Sequence, residues 1–158
     1  MERGLYMKHS TLERRTTNLH AQIVQTDKQL RDAFSVRKQV FVNEQRVSAE
    51  EEYDEFEEIS THVVIYDNDV PVGAGRFRIV DGVGKMERIC VLASHRKKGI
   101  GKIIMDALEA HAKEESLPKL KLHAQTHAEV FYKKLGYVTA SDVFMEANIP
   151  HVVMIKEL

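Results

Sequence analysis

The sequence predicts one domain of mixed α/β class, built on a largely antiparallel sheet. Three observations lead there. Apolar segments at 62–66, 71–80 and 84–92 are separated by the turn signals Asp67-Asn68-Asp69 and Asp81-Gly82, the pattern of a β-meander. An apolar run, a glycine-containing loop and an amphipathic helix pattern follow in one unit at Met86–Lys102. After that, strand and helix patterns alternate to residue 158. A length of 158 residues suits a single core.

The elements come in the order β-α-β-β-β-α-β-α-β-β. Residues 20–25 alternate enough for a first strand, with Ala21 and Ile23 on one face. Thr26-Asp27-Lys28-Gln29 reads as a capping box that opens a helix. That helix places Leu30, Ala33, Phe34, Arg37 and Phe41 on one face. The three meander strands follow, the middle one carrying Gly73 and Gly75. Residues 101–115 form the strongest helix pattern, with Ile104, Ala107, Leu108 and His111 on one side. His111 is expected to pack there. Residues 119–124 alternate lysine and histidine against leucine and alanine, as a half-buried strand does. Thr126-His127-Ala128-Glu129 reads as a second capping box, and Gly136 as a left-handed helix end. The final strands are expected at 137–141 and 151–156, around a turn at Asn148-Ile149-Pro150. Residues 1–19 are polar, have no apolar centre, and are expected to be a loose or disordered extension of a domain spanning 20–158.

Composition narrows the function. The chain is 43% hydrophobic and 30% charged, as a soluble globular protein is. A net charge of −1 gives no reason to expect nucleic acid. A lone cysteine, Cys90, allows no internal disulfide and suits the cytoplasm. No apolar run approaches the roughly 20 residues of a membrane span. The eight histidines are scattered, so no metal site is expected. Residues 50–58 hold seven carboxylates in nine positions. They read as a solvated loop or as a negative rim for a cationic amine, and Tyr53 and Phe56 suggest that the loop docks on the body.

The chemistry concentrates at 96–102. Arg96, Lys97 and Lys98 precede Gly99-Ile100-Gly101-Lys102 at a predicted helix start. Free N–H groups, the helix dipole and three cations together suit a diphosphate. The stretch is not a P-loop, because Ile103 follows Gly101-Lys102 where a hydroxyl is required. Nor is it a dinucleotide fingerprint, whose third glycine would fall on Ile104.

What fits is R-x-x-G-x-G after a buried strand, with Phe131-Tyr132-Lys133-Lys134-Leu135-Gly136-Tyr137 about 30 residues on. Both resemble motifs of the GNAT superfamily of N-acetyltransferases, and the predicted element order matches that fold over residues 20–158. Arg37-x-x-Val40-Phe41-Val42-x-Glu44-Gln45, His123-Ala124-Gln125 and Pro150-His151-x-x-Met154 resemble the bacterial ElaA/YjcF-like group. The resemblance implies acetyl-CoA as co-substrate and direct transfer of acetyl to an amine, a small cationic one if the acidic stretch is its rim. It implies that Ile89, Cys90 and Val91 pair through their backbone with the pantetheine arm. Arg96 to Lys102 would cradle the diphosphate, and Tyr132 would protonate the departing thiolate. Gln125 stands where the family commonly has an asparagine that bonds the cofactor. Glu87 and Glu44 are the candidate general bases, Glu87 preferred for its place on the strand beside the thioester site, and Glu44 and Gln45 fall where the family builds its acceptor pocket. Cys90 is more readily a small buried side chain than an acyl carrier. The alternative reading is a non-catalytic acyl-CoA sensor. The sequence leaves the oligomeric state open, with a homodimer compatible.

Overall fold

The computed structural model describes residues 18–158, so the expectation of a disordered extension falls almost wholly outside the described residues. Strand β1 (Leu19–Ile23) leads into helix α1 (Asp27–Arg37). The predicted cap forms there. Gln29 N–H donates to Thr26 Oγ1 at 3.2 Å, and the Gln29 side chain accepts from Gln25 N–H at 2.7 Å. From Lys38 to Glu44 the helix widens into a π-helical segment, with Gln45 N–H donating to Val40 O at 2.9 Å. A single-turn helix, α2 (Ala49–Glu52), is capped by Ser48.

The meander is as the sequence predicts: β2 (Thr61–Asp67), β3 (Val70–Val80) and β4 (Val83–Val91), each antiparallel to the last. Asp81 and Gly82 both take left-handed φ (52° and 77°), the conformation a two-residue hairpin loop requires. Helix α3 (Ile100–Glu114) then crosses back, so that β5 (Lys119–Gln125) lies parallel to β4. Helix α4 (Glu129–Lys134) follows, then β6 (Val138–Thr139), β7 (Phe144–Glu146) and β8 (Ile149–Glu157). The sheet order is β1-β2-β3-β4-β5-β8-β6, with β7 on β8.

Two expectations are corrected. No side chain caps the start of α4. A 3₁₀ turn over Thr126–Ala128 precedes it, and Glu129 instead accepts from Thr139 Oγ1. The terminal hairpin turns at Ala147-Asn148, both with left-handed φ, and adds the short strand β7. Pro150 lies inside β8, just before that strand begins to pair with β5 at His151, so its missing N–H leaves no gap in that ladder.

Each sheet face carries its own core. Ile100, Ile104, Met105, Leu108 and Ala112 of α3 pack with Val63, Ile65, Phe77, Met86, Leu120 and Leu122. On the other face Ala33, Val36, Val40 and Phe41 pack with Val64, Ala74 and Cys90. Gly73 and Gly75 let α3 come close to the sheet. A Cβ on Gly75 would stand 2.8 Å from Ile104 Cγ2 and 2.7 Å from Ile89 Cδ1. His111 packs against Phe77, with ring centroids 5.8 Å apart, as expected.

Candidate active site

Strands β4 and β5 pair only at one end. Gly84 registers with Leu120, Lys85 with Lys121 and Met86 with Leu122, after which pairing stops. Beyond Met86, β4 bends. Ala74 pairs with Cys90 but Arg76 pairs with Glu87, so Arg88 and Ile89 together oppose Gly75. Arg88 takes φ 60°, and such a bulge turns a strand away from its neighbour. A gap therefore opens between the second half of β4 and β5. Leu92 N–H donates to Val72 O at 2.9 Å. By the alternation of an antiparallel ladder, Val91 and Ile89 then turn their N–H and C=O groups away from β3, toward the gap.

The loop after β4 is held at the mouth of this gap. His95 Nε2 lies 2.8 Å from Asp67 Oδ2, and Arg96 Nε donates to Val91 O at 3.1 Å. Gly99 has φ 79°, and a Cβ there would meet nothing within 4 Å. No side chain caps α3, which leaves its first N–H groups for a ligand. Arg96, Lys97 and Lys98 are exposed beside it. Ile100 is buried, so only its backbone can serve a ligand, and Lys102 pairs with Asp106 at 2.7 Å. Gly101 fits against Phe131, whose ring is 3.0 Å from where a Cβ would stand. An open, cationic, uncapped helix start beside a half-unpaired strand fits the diphosphate and pantetheine of coenzyme A.

Tyr132 is buried on α4, edge-on to Phe131 at 5.0 Å and to Tyr137 at 5.9 Å. Burial raises its phenol well above the ordinary range, and the nearby Cys90 adds to the push. Tyr137 N–H donates to Tyr132 O and Gly136 N–H to Lys133 O, closing the helix where the sequence predicts. The Cys90 thiol is buried and pushed up to about 12, chiefly by burial, and so is poorly suited to act as a nucleophile.

The chain matches the acetyltransferase (GNAT) domain over residues 20–158. It is 54% identical over 140 residues to the uncharacterised N-acetyltransferase YjcF of Bacillus subtilis, covering 88% of this chain and 100% of that one. The chain belongs to the GNAT acetyltransferase family. Escherichia coli ElaA shares the fold at a TM-score of 0.76 and 23% identity, over 87% of this chain and 99% of that one. A GNAT acetyltransferase from Elizabethkingia anophelis, solved with acetyl-CoA bound, does so at 0.70 and 14%, over 90% and 99%. The protein is thus an acyltransferase of a family that uses acetyl-CoA as co-substrate.

Within this GNAT site, several predicted residues are brought together in unforeseen ways. Glu44 receives two bonds from Arg96, at 2.7 and 2.5 Å. That pairing, over the opposing effect of burial, holds its carboxyl below the ordinary range. Gln45 and Gln125 meet amide to amide, with Gln125 Nε2 donating to Gln45 Oε1 at 2.9 Å, and His127 Nε2 lies 2.7 Å from Gln125 Oε1. Glu87 is bound by Arg76 at 2.9 Å, Arg78 at 2.9 Å and Lys85 at 3.3 Å. Burial pushes its carboxyl up, but these cations outweigh it and leave a weak proton acceptor. The acidic stretch is neither simply solvated nor simply a rim. Glu52, Asp54 and Glu57 turn inward onto Arg37, Arg76 and Arg88, while Glu50, Glu51, Glu55 and Glu58 stay exposed. Among the described residues no group of three metal-ligating side chains could hold a metal, and no helix is long and apolar enough to cross a membrane.

A further cluster appears in the sequence only as letters of two motifs. His123 Nδ1 lies 2.9 Å from Glu146 Oε1, and His151 Nε2 lies 3.6 Å from Glu146 Oε2. Phe144 packs against both imidazoles. His123, on the polar face of the alternating 119–124 segment, was the available signal.

Proposed function

We propose that the protein transfers acetyl from acetyl-CoA directly to the nitrogen of a small amine, with Tyr132 as the acid that protonates the thiolate. The observation that carries this reading is the gap between β4 and β5 beyond Met86–Leu122, with the uncapped start of α3 after β4 and Tyr132 in the core on the α3 side of the sheet. The backbone groups of Ile89 and Val91 would bind the pantetheine arm and polarise the thioester carbonyl. A preorganised N–H donor contributes about 3 kcal/mol in acyl-transfer sites. Burial keeps the phenol protonated at neutrality, as the acid for a departing thiolate must be, while making it a weaker acid than an exposed tyrosine, so the transfer depends on close approach to the sulfur. The expected cationic acceptor loses part of its support, because the inward carboxylates of the acidic stretch are already paired with arginines. The proposed compartment is the cytoplasm.

The test is Tyr132→Phe. Turnover, read as thiol release with a panel of primary amines, is expected to fall about tenfold or more, with acetyl-CoA affinity by calorimetry unchanged. Unchanged turnover would remove the tyrosine from the mechanism. Tight acetyl-CoA binding without turnover on any amine would favour the sensor.

A further inference from the structure

We propose that His123 is the base that takes the proton from the acceptor amine, and that Glu146 positions its ring; this rests on the acetyl-transfer reading above. The first ground is place. Pairing of β4 with β5 ends at Met86–Leu122, and His123 is the next residue of β5, at the apex of the gap. Leu120, Leu122 and Ala124 pack into the core on the α3 side. Lys121, His123 and Gln125 therefore occupy the opposite face, where Gln125 meets Gln45. Glu87 and Arg88 of β4 lie on that face too, since both bond to Asp54 or its partners. Tyr132 belongs to the α3-side core. Acid and base thus stand on opposite faces of the sheet, where they do not compete for one place beside a carbonyl held in the gap.

The second ground is orientation. Nδ1 of His123 is engaged by Glu146, and the Phe144 ring stands edge-on at 5.1 Å. A carboxylate on Nδ1 places the proton there and leaves Nε2 as the acceptor. Among the described residues Nε2 has no hydrogen-bond partner. The bond to His123, with burial opposing it, holds the Glu146 carboxyl below the ordinary range, so it remains a carboxylate at neutrality. The neighbouring charged or titratable groups are His151 on β8, Lys85 and Glu87 on β4, Lys121 on β5 and His127 beyond it. Glu87 is occupied by Arg76, Arg78 and Lys85, which leaves the imidazole as the unclaimed base.

The proton balance closes. The ammonium gives one proton to Nε2. The carbon–nitrogen bond forms as the carbon–sulfur bond breaks, and the thiolate takes a proton from Tyr132. The second amine proton restores the tyrosine through solvent, and His123 releases its own. Amide and thiol are formed with one net proton released.

The experiment compares wild type, His123→Gln and Glu146→Gln with alkyl amines, protonated at neutrality, and aromatic amines, which are not. His123→Gln is expected to lose about 100-fold in kcat/KM for alkyl amines and much less for aromatic ones. The acidic limb of its pH profile should disappear, with acetyl-CoA affinity kept. Glu146→Gln should lose less and shift that limb, and it decides the question if His123→Gln does not fold. An active wild type with unaltered alkyl rates and pH profile in both variants overturns the assignment of His123 alone. A wild type that binds acetyl-CoA but acetylates no amine overturns the transfer reading and this inference with it.

Discussion

The charges on the two sides of β4 are built from the same residue types and behave differently. On the α1 side, Arg37 and Arg76 are almost fully buried and held by Glu52, Asp54, Glu57 and Glu87. At the mouth of the gap, Arg96 and Glu44 are each 42% exposed and hold one another. A buried ion that loses its partner is left uncompensated, whereas an exposed pair exchanges partners at little cost. The first set is scaffold for the bulge in β4. The second, under the proposed reading, would yield to the diphosphate of acetyl-CoA. Burial, not bond length, decides which is which.

The largest effect expected from breaking this contrast is on the buried side. Arg76→Met should cost about 3–5 kcal/mol, read as a lower urea midpoint. An unchanged midpoint would mean that the network is not scaffold.

Acid sharpens the same point. Burial would raise the Asp54 carboxyl, but bonds from Arg76 and Phe56 N–H, with the charge of Arg88, hold it at about 2. Glu57 and Glu87 are also held low by arginines against burial. Carboxyls depressed on folding stabilise above their unfolded values, about 4, and lose that contribution as pH falls through their folded ones. Stability should therefore decline from about pH 5 toward 2. Glu52, raised by burial, opposes part of this. Urea midpoints across that range would show it, and a flat profile would contradict it.

The smallest effect is at the mouth. Glu44→Gln frees Arg96 and should tighten acetyl-CoA binding about two- to fivefold by calorimetry. Weaker binding would show that the bridge organises the loop instead.

The meander and the glycine-opened start of α3 were legible because their signals are local: Asp81-Gly82, alternating apolar residues, and glycines at a helix start. The inward turn of the acidic stretch was not, because its partners are distant in sequence. Asp54 meets Arg76 across 22 positions, and Glu52 meets Arg37 across 15. Arg37 on an otherwise apolar helix face was the one clue. Strand β7 is three residues long and gains its form from pairing with β8, which no local pattern reveals. The meeting of His123, Glu146 and His151 likewise depends on three strands arriving side by side.

The surplus residue at Arg88 has a consequence of parity. Met86 and Ile89 are three positions apart, yet both face the α3 side, while Glu87 and Cys90 both face α1. Before the bulge, even positions look one way; after it, odd ones do. A chain shortened there by one residue would swing everything from Ile89 onward to the wrong side, setting the thiol among the leucines and the isoleucine among the arginines. One uncounted residue thus lets a single strand serve as closed sheet at one end and as the lip of an opening at the other.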